Sequence, residues 1–403
     1  MISVGWTLLA LTTSAALPQE EETTWVIRAQ TVYTAAGDPI EDGAFIEVED
    51  GIIEGVGSGS RGGDGALECF AVTPGLIDLS VRIASSRWSV EESDEVQLAA
   101  RMADAVDLFS YRWGREARSG VTSALVSPPD NNVLGGLGIA LKTAGEPTLE
   151  ARLLRDDAVL RGSFGDYPAR HSTPNRLAVG PPRDFRTRRP ATRMATEWVM
   201  RDAFYKGIAA KRSGTAYDGA EVLESVLSGE RPMIVQAWAT QDIRTAAFFK
   251  AEFSIPRMII DGAAEAWREP ELLRSSGASV VLPPMVFGQR ARDNAFYTLS
   301  CAKTLHDAGI PFALSGHGAE RSDERLAYQP AHAMRGGLPF EAALEAVTMA
   351  PARMIGVEDR VGSIEAGKDA DLVLWSGRPF EPSSRVVGVL VSGRLVLDPR
   401  PTE

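Results

Sequence analysis

The side chains able to bind metal or donate protons are few. Only four histidines occur, His171, His306, His317 and His332, and no two of them stand at alternating-strand or one-turn helical spacing. That pattern does not predict a histidine-rich metal centre. The two cysteines, Cys69 and Cys301, are far apart and lie outside any CxxC or Cys/His cluster. They are expected to be free buried thiols, although the sequence leaves a single disulfide open. Six of the 42 basic residues are lysine (Lys142, Lys206, Lys211, Lys250, Lys303 and Lys368), so fixed, fork-shaped guanidinium groups dominate the cations. Five of those arginines (Arg183, Arg186, Arg188, Arg189 and Arg193) crowd around Phe185 in the run PPRDFRTRRPATR. The run reads either as an anion-binding rim or, more plainly, as a solvated loop whose charge is offset by surrounding acids. A formal net charge of -12 excludes a nucleic-acid binder, which needs a concentrated basic face.

The elements that must position these groups change character along the chain. Residues 25–32 (WVIRAQTV) and 44–56 (AFIEVEDGIIEGV) read as short strands, with Asp50-Gly51 a hairpin signal. From Pro74 onward, strand-length apolar runs alternate with longer stretches of helical spacing, the signature of repeated βα units and a parallel sheet. Candidate strands are 122–126, 233–235, 257–260, 279–282 and 312–314, and candidate helices are 91–109, 195–211, 220–227, 240–249 and 294–308. Residues 162–193, rich in Pro, Gly and Arg, read as a long loop over the sheet. The last stretch returns to short β-rich runs at 371–375, 386–391 and 394–397, with Ser392-Gly393 at a turn. The two β regions flank the middle and are expected to pair with each other in space.

At the N-terminus, VGWTLLALTTSAA gives way abruptly to PQEEE, with Ser14 and Ala16 suited to the −3 and −1 positions of a cleavage site. Residues 1–16 therefore read as an export signal, and the expectation is a periplasmic or extracellular protein. The apolar run is shorter than the roughly 20 residues of a spanning helix, so no membrane span is expected.

Two stretches carry a family resemblance. Residues 337–373, GLPFEAALEAVTMAPARMIGVEDRVGSIEAGKDADLV, are similar to the T-x-x-P-A turn and the G-S-I-x-x-G-K-x-A-D-L-V return of the metal-dependent amidohydrolase superfamily, in its imidazolonepropionase-like branch. Residues 73–78, TPGLID, resemble the same family's entry into its first barrel strand. The resemblance implies an α/β fold: a (β/α)8, TIM-like barrel over residues 73–356, plus a small discontinuous β-sandwich made of residues 25–72 with 357–400. It also implies zinc or a similar divalent metal, held at the C-terminal ends of the strands, that activates water for hydrolysis of a carbon–nitrogen bond other than a peptide bond. At the positions where the family places ligands, however, this chain has Ser80 and Arg82 after PGLID, Gln236, Asp261 and His317. Lys142 is the nearest candidate by region for a carbamylated lysine. A guanidinium only donates hydrogen bonds and cannot join a metal, so the expectation is a site without metal or other cofactor.

Within this frame, Arg82 is expected either to pair with Asp261 across the barrel mouth or to point into water. Ser80, His317 and Asp261 could form a nucleophile, base and orienting acid, or could be hydrogen-bonded structural groups. Arg82, Gln236 and Trp238 are the candidate ligand-binding residues, with Trp238 either walling the pocket or, like Trp198 and Trp267, packing. His171 and His332 read as loop or helix-terminal residues. Two functions follow: a weakly active or non-catalytic relative that binds a small polar ligand, or an active homologous subunit, at the old cleft; or a hydrolase with an unorthodox, rebuilt site. Homo-oligomerisation is left open.

Overall fold

The computed structural model of the chain describes residues 24–59, 66–81, 91, 93–165, 167–170, 189–285, 296–317 and 325–400. Alternation of buried and exposed residues near the N-terminus produces β1 (Trp25–Val32), β2 (Ala44–Glu49), β3 (Ile52–Ser58) and β4 (Leu67–Pro74). Near the C-terminus lie β13 (Leu372–Trp375), β14 (Val386–Val391) and β15 (Arg394–Leu397). The two groups join where β13 pairs antiparallel with β4, Val373 opposite Thr73. Expected as a sandwich, these seven strands form one hydrogen-bonded sheet in the order β15-β14-β13-β4-β1-β2-β3. Its hairpins turn where the sequence signals turns. Asp50 and Gly51 both have positive φ, 48° and 84°, as a type I′ turn requires, and Ser392 and Gly393 repeat the geometry at 47° and 71°. The two turns abut, so a Cβ on Gly51 would lie 2.8 Å from the Ser392 carbonyl oxygen.

Between the two β groups lies an eight-stranded sheet. Its members are β5 (Leu76–Val81), β6 (Val121–Val126), β7 (Leu134–Lys142), β8 (Leu153–Ser163), β9 (Met233–Gln236), β10 (Met258–Asp261), β11 (Ser279–Leu282) and β12 (Phe312–Leu314). Near-continuous burial along these strands matches a sheet covered on both faces. Seven strands run parallel, while β7 runs antiparallel to both β6 and β8. The barrel is thus nearly closed but departs from eight regular βα units, since β6, β7 and β8 form a meander. At the seam between β12 and β5, residues 346 and 347 intervene: Leu314 N donates to Ala346 O, and Ile77 N to Val347 O, each at 2.9 Å. Toward the C-terminal end of the same seam, the Asp78 carboxylate accepts from Ser315 Oγ (2.6 Å), Gly316 N (2.9 Å) and Ser80 N (3.0 Å).

Strand periodicity divides the interior into layers. Val159, Ile234 and Ile259 belong to an apolar cluster with Ile77, Leu79, Leu125, Val281 and Ala313, which Ala352, Met354, Ile355, Val357 and Val361 complete. Arg155, near the start of β8, donates to Ile355 O at 2.6 Å, which sets that plug at the N-terminal end. Two residues further along the same strands come Arg161, Gln236 and Asp261, on the same face because side chains alternate with a period of two. A polar layer therefore lies above an apolar one.

Most elements fall close to their expected places, with two departures. Residues 91–109, expected as a helix, form bends and turns where described, with isolated bridges at Val96 and Arg101 and a 3-10 turn at Met102–Asp104. Their backbone bonds go to β7 instead, Leu137 N to Ala100 O at 2.7 Å and Gln97 N to Leu134 O at 2.9 Å. The helix expected over residues 294–308 is confined to Cys301–Asp307 among the described residues. Both cysteines are free thiols, Cys301 buried and Cys69 partly so, and burial pushes each up to about 12. No helix among the described residues is long and apolar enough to cross a membrane.

Candidate functional site

The polar layer is joined by a continuous chain of hydrogen bonds. Ser163 Oγ on β8 donates to Gln236 Oε1 on β9 at 3.1 Å, and Gln236 Nε2 donates to Asp130 Oδ2 at 2.7 Å. Asp130, in the loop after β6, accepts from Arg161 Nε at 2.8 Å, with Arg161 Nη2 at 2.6 Å from the same oxygen. Arg161 Nη1 continues the chain to Asp261 Oδ2 at 2.7 Å, and Ser80 Oγ donates to that oxygen at 2.9 Å. All six side chains are buried, Arg161 exposed by 4% and Asp261 by 2%.

Desolvation sets the electrostatics here, and the ion pairs decide its outcome. Burial alone would favour a neutral Asp261; the Arg161 guanidinium, then His317, and the hydrogen bonds from Arg161 and Ser80 outweigh it and hold the carboxyl below its ordinary range. Burial likewise disfavours the charged form of Arg161, but Asp130 and Asp261 raise it above even the usual guanidinium value. Asp78 shows the opposite balance: desolvation dominates its hydrogen bonds and raises it. Asp261 Oδ1 is buried and accepts no hydrogen bond among the described residues.

Of the residues singled out from sequence, Ser80 and Asp261 meet directly, and Gln236 reaches them through Asp130 and Arg161. His317, on a left-handed backbone (φ 54°), follows the Ser315 and Gly316 contacts of the seam. Its ring lies 5.8 Å from that of Trp238 at 72°, an edge-on contact that walls one side of the layer. The Trp238 ring also packs over Gly262, where a Cβ would come within 2.6 Å of it. Arg82 lies outside the described residues, as do His171, residues 1–16 and residues 181–188 of the arginine-rich run. Among the described residues, the guanidinium that meets Asp261 is that of Arg161. The Ser80 hydroxyl donates directly to Asp261. His306 and His332 lie in the last turns of their helices, and Trp267 packs with Nε1 donating to Phe296 O at 3.0 Å, while Trp198 is 54% exposed.

Lys142, considered as a carbamylated ligand, ends the antiparallel β7 and so sits at the opposite end of the barrel. Its Nζ is buried between Asp371 (2.7 Å) and Asp369 (2.9 Å). Sequence reading missed Arg161, Asp130 and Ser163. The available signal for Arg161 was a charged residue in phase with inward-facing apolar ones in the run DDAVLRGS; Asp130 had none, lying in a loop whose path only the fold defines.

Among the described residues, the donor set at the mouth does not suit a divalent cation. Among the described residues no group of three or more His, Cys, Asp and Glu is gathered at metal-binding distances. The two carboxylates that converge at the mouth converge on a guanidinium, which repels a second cation and offers it no lone pair.

Comparison with known proteins places this geometry among relatives. Residues 300–396 match the family model described as the amidohydrolase family. An amidohydrolase of Hapsidospora irregularis is 26% identical over 345 residues, covering 76% of this chain and 34% of its own length. Imidazolonepropionase of Thermoplasma acidophilum is 29% identical over 122 residues, covering 30% of this chain and 28% of its own length. The chain thus spans about a third or less of the length of these curated relatives. A crystal structure of an amidohydrolase from Thermotoga maritima superposes with a TM-score of 0.79 at 28% identity, over 92% of this chain and all of that one.

Proposed function

We propose that this chain, which carries an amidohydrolase-family domain, is a metal-free member whose barrel mouth binds a small polar ligand, or a partner subunit, with weak hydrolytic activity or none. One observation carries the reading: the Arg161 guanidinium lies between Asp130 and Asp261, within 2.8 Å of both, in the layer where a catalytic cation would have to sit. Ser80, Gln236 and Trp238 would then contact the ligand, and Asp261 and His317 would set the charge it meets. The other reading, a hydrolase rebuilt around Ser80, draws on the Ser80–Asp261 contact. It is weaker, because a carboxylate held below its ordinary range is a poor base for a hydroxyl. Export is part of the proposal and rests on the apolar run of residues 4–16 followed by PQEEE. The division into a barrel over residues 73–356 and a β unit of residues 25–72 with 357–400 is also part of the proposal, and the two separate sheets support it.

Elemental analysis of the purified chain tests the central claim. Divalent metal well below one equivalent per chain is expected, together with no gain in hydrolysis of amide, lactam or amidine substrates on adding Zn²⁺ or Mn²⁺. One equivalent of tightly held divalent ion, removable only with loss of turnover, would overturn it.

A further inference from the structure

Away from the barrel mouth, a cavity of about 150 Å³ lies where the barrel meets the loop that joins β13 to β14, and no residue of the polar layer lines it. The helix Tyr111–Arg118 contributes Arg118 to its wall, and Arg325 enters just ahead of the 3-10 turn Leu326–Tyr328. The loop contributes Phe380, Glu381, Ser384 and Arg385, and the end of β13 contributes Trp375. Trp375 and Phe380 are buried and meet edge-on, with ring centroids 5.3 Å apart at 76°. Phe380 stands on a left-handed backbone (φ 66°), which a bulky side chain adopts only where its surroundings enforce it.

The polar side of the wall is incompletely matched. Among the described residues the guanidiniums of Arg118, Arg325 and Arg385 make no hydrogen bond or ion pair. The carboxylate of Glu381 stands 4.0 Å from Arg378, and Arg325 also acts at a distance on the buried Glu116. Positive charge is therefore in excess around the cavity. Ser384 is buried, and its Oγ has no hydrogen-bond partner among the described residues, an arrangement that folded proteins rarely leave uncompensated. Guanidinium forks match a carboxylate, the aromatic pair matches an apolar ring, and a cavity of about 150 Å³ accommodates one benzene-sized body.

We infer that this cavity is a second ligand site, separate from the barrel mouth, for a small carboxylate with a ring-sized apolar body. The carboxylate meets the arginines, the ring packs on Trp375 and Phe380, and a change of the Ser384 χ1 rotamer toward the bound anion gives its hydroxyl the acceptor it lacks. Such a ligand touches the barrel and the terminal sheet at once, so its binding stabilises their junction.

Equilibrium dialysis of benzoate against the full-length chain tests this, with benzamide and inorganic phosphate as competitors. One equivalent of benzoate should bind with a Kd of about 1 mM or tighter, and both competitors should bind at least about tenfold more weakly, since one lacks the charge and the other the ring. Saturating benzoate should raise the Tm by about 1 °C or more. The double variant Arg118→Gln with Arg385→Gln replaces two exposed side chains, so it should keep the unliganded Tm and lose about tenfold in benzoate affinity. Benzoate that fails to bind the wild type, is matched by benzamide or phosphate, or is held equally by the double variant would overturn the inference. The competitor comparison needs only the wild type and stands even if the variant does not fold.

Discussion

Glu116, on the helix Tyr111–Arg118, is another buried carboxyl, and its ion pair with Arg115, at 3.8 Å, is looser than those Arg161 makes. Only 3% exposed, it is pushed from 4.5 to about 7, first by desolvation and then by the neighbouring Asp78, with Arg115 and Arg325 offsetting little. A carboxyl raised in the folded state binds more protons there than in the unfolded chain, so stability must fall as pH rises from about 4.5 to about 7 and then level off. At 1.36 kcal/mol per pKa unit this amounts to roughly 3 kcal/mol, and Asp78, also raised, adds the same sign. Asp261 contributes oppositely: its stabilisation is present above the ordinary carboxylate range and is lost as pH falls through its depressed value. Urea unfolding of the wild type and Glu116→Gln at pH 5 and pH 8 checks the balance. The variant should lose much of the wild type's drop in stability between the two, and an unchanged drop would rule Glu116 out as its source. Such residues were only half legible in advance. Ser80, Gln236 and Asp261 were found because they stand where the resembled family places its metal ligands; Asp130 and Arg161 were not, because which cation meets which carboxylate depends on strand order and register.

Strand β7 shows the same limit one level up. Its sequence, LGGLGIALK, has three glycines in its first five residues, a composition that weakens strands, and it is not among the strands expected from sequence, yet all nine residues are buried in the barrel wall. Gly138 needs its small size there, since a Cβ would lie 2.8 Å from Ser127 Oγ and 3.0 Å from Val159. Running antiparallel, β7 delivers Lys142 to the barrel's N-terminal end, where its ammonium meets Asp369 and Asp371 just before β13. Ser123 Oγ joins at 3.2 Å from Asp371, and Ser392 N donates to the same carboxylate at 2.8 Å. One buried ion cluster thereby couples the barrel to the sheet built from the chain ends. Breaking a buried pair by removing one partner costs about 3–5 kcal/mol, mostly because the other charge is stranded. Lys142→Met should fall by that amount in urea unfolding, and adding Asp371→Asn should restore part of the loss by removing the stranded charge. A double variant no more stable than the single one would show that packing of the lysine stem, rather than its charge, is what matters.

At the scale of the whole molecule, the sequence was most informative where local patterns decide the outcome: hairpin turns, buried parallel strands and the segments carrying the family motifs. It was less so where distant segments meet, and the end-to-end sheet is the clearest case. Strand β4 leads directly into β5 of the barrel through Gly75, whose N donates to Asp371 O at 2.8 Å, and β4 is flanked by β1 on one side and β13 on the other. Of the C-terminal strands, β13 and β14 are therefore interior members of a shared sheet and β15 is its edge. Deleting residues 372–403 would strip β4 of its hydrogen-bonding neighbour along Ala71–Pro74 and expose the apolar side chains that Leu372, Leu374 and Leu390 cover, among them Ile27 and Val72. The unpaired groups of a newly exposed strand edge also invite association with other chains. The truncated protein should accordingly lose its cooperative thermal transition and aggregate, whereas the intact chain should melt in one step seen alike by far-UV circular dichroism and tryptophan fluorescence. A truncated chain that stays monomeric and keeps a sharp barrel transition would mean that the barrel folds independently of the sheet, and that the Lys142 cluster joins two autonomous units.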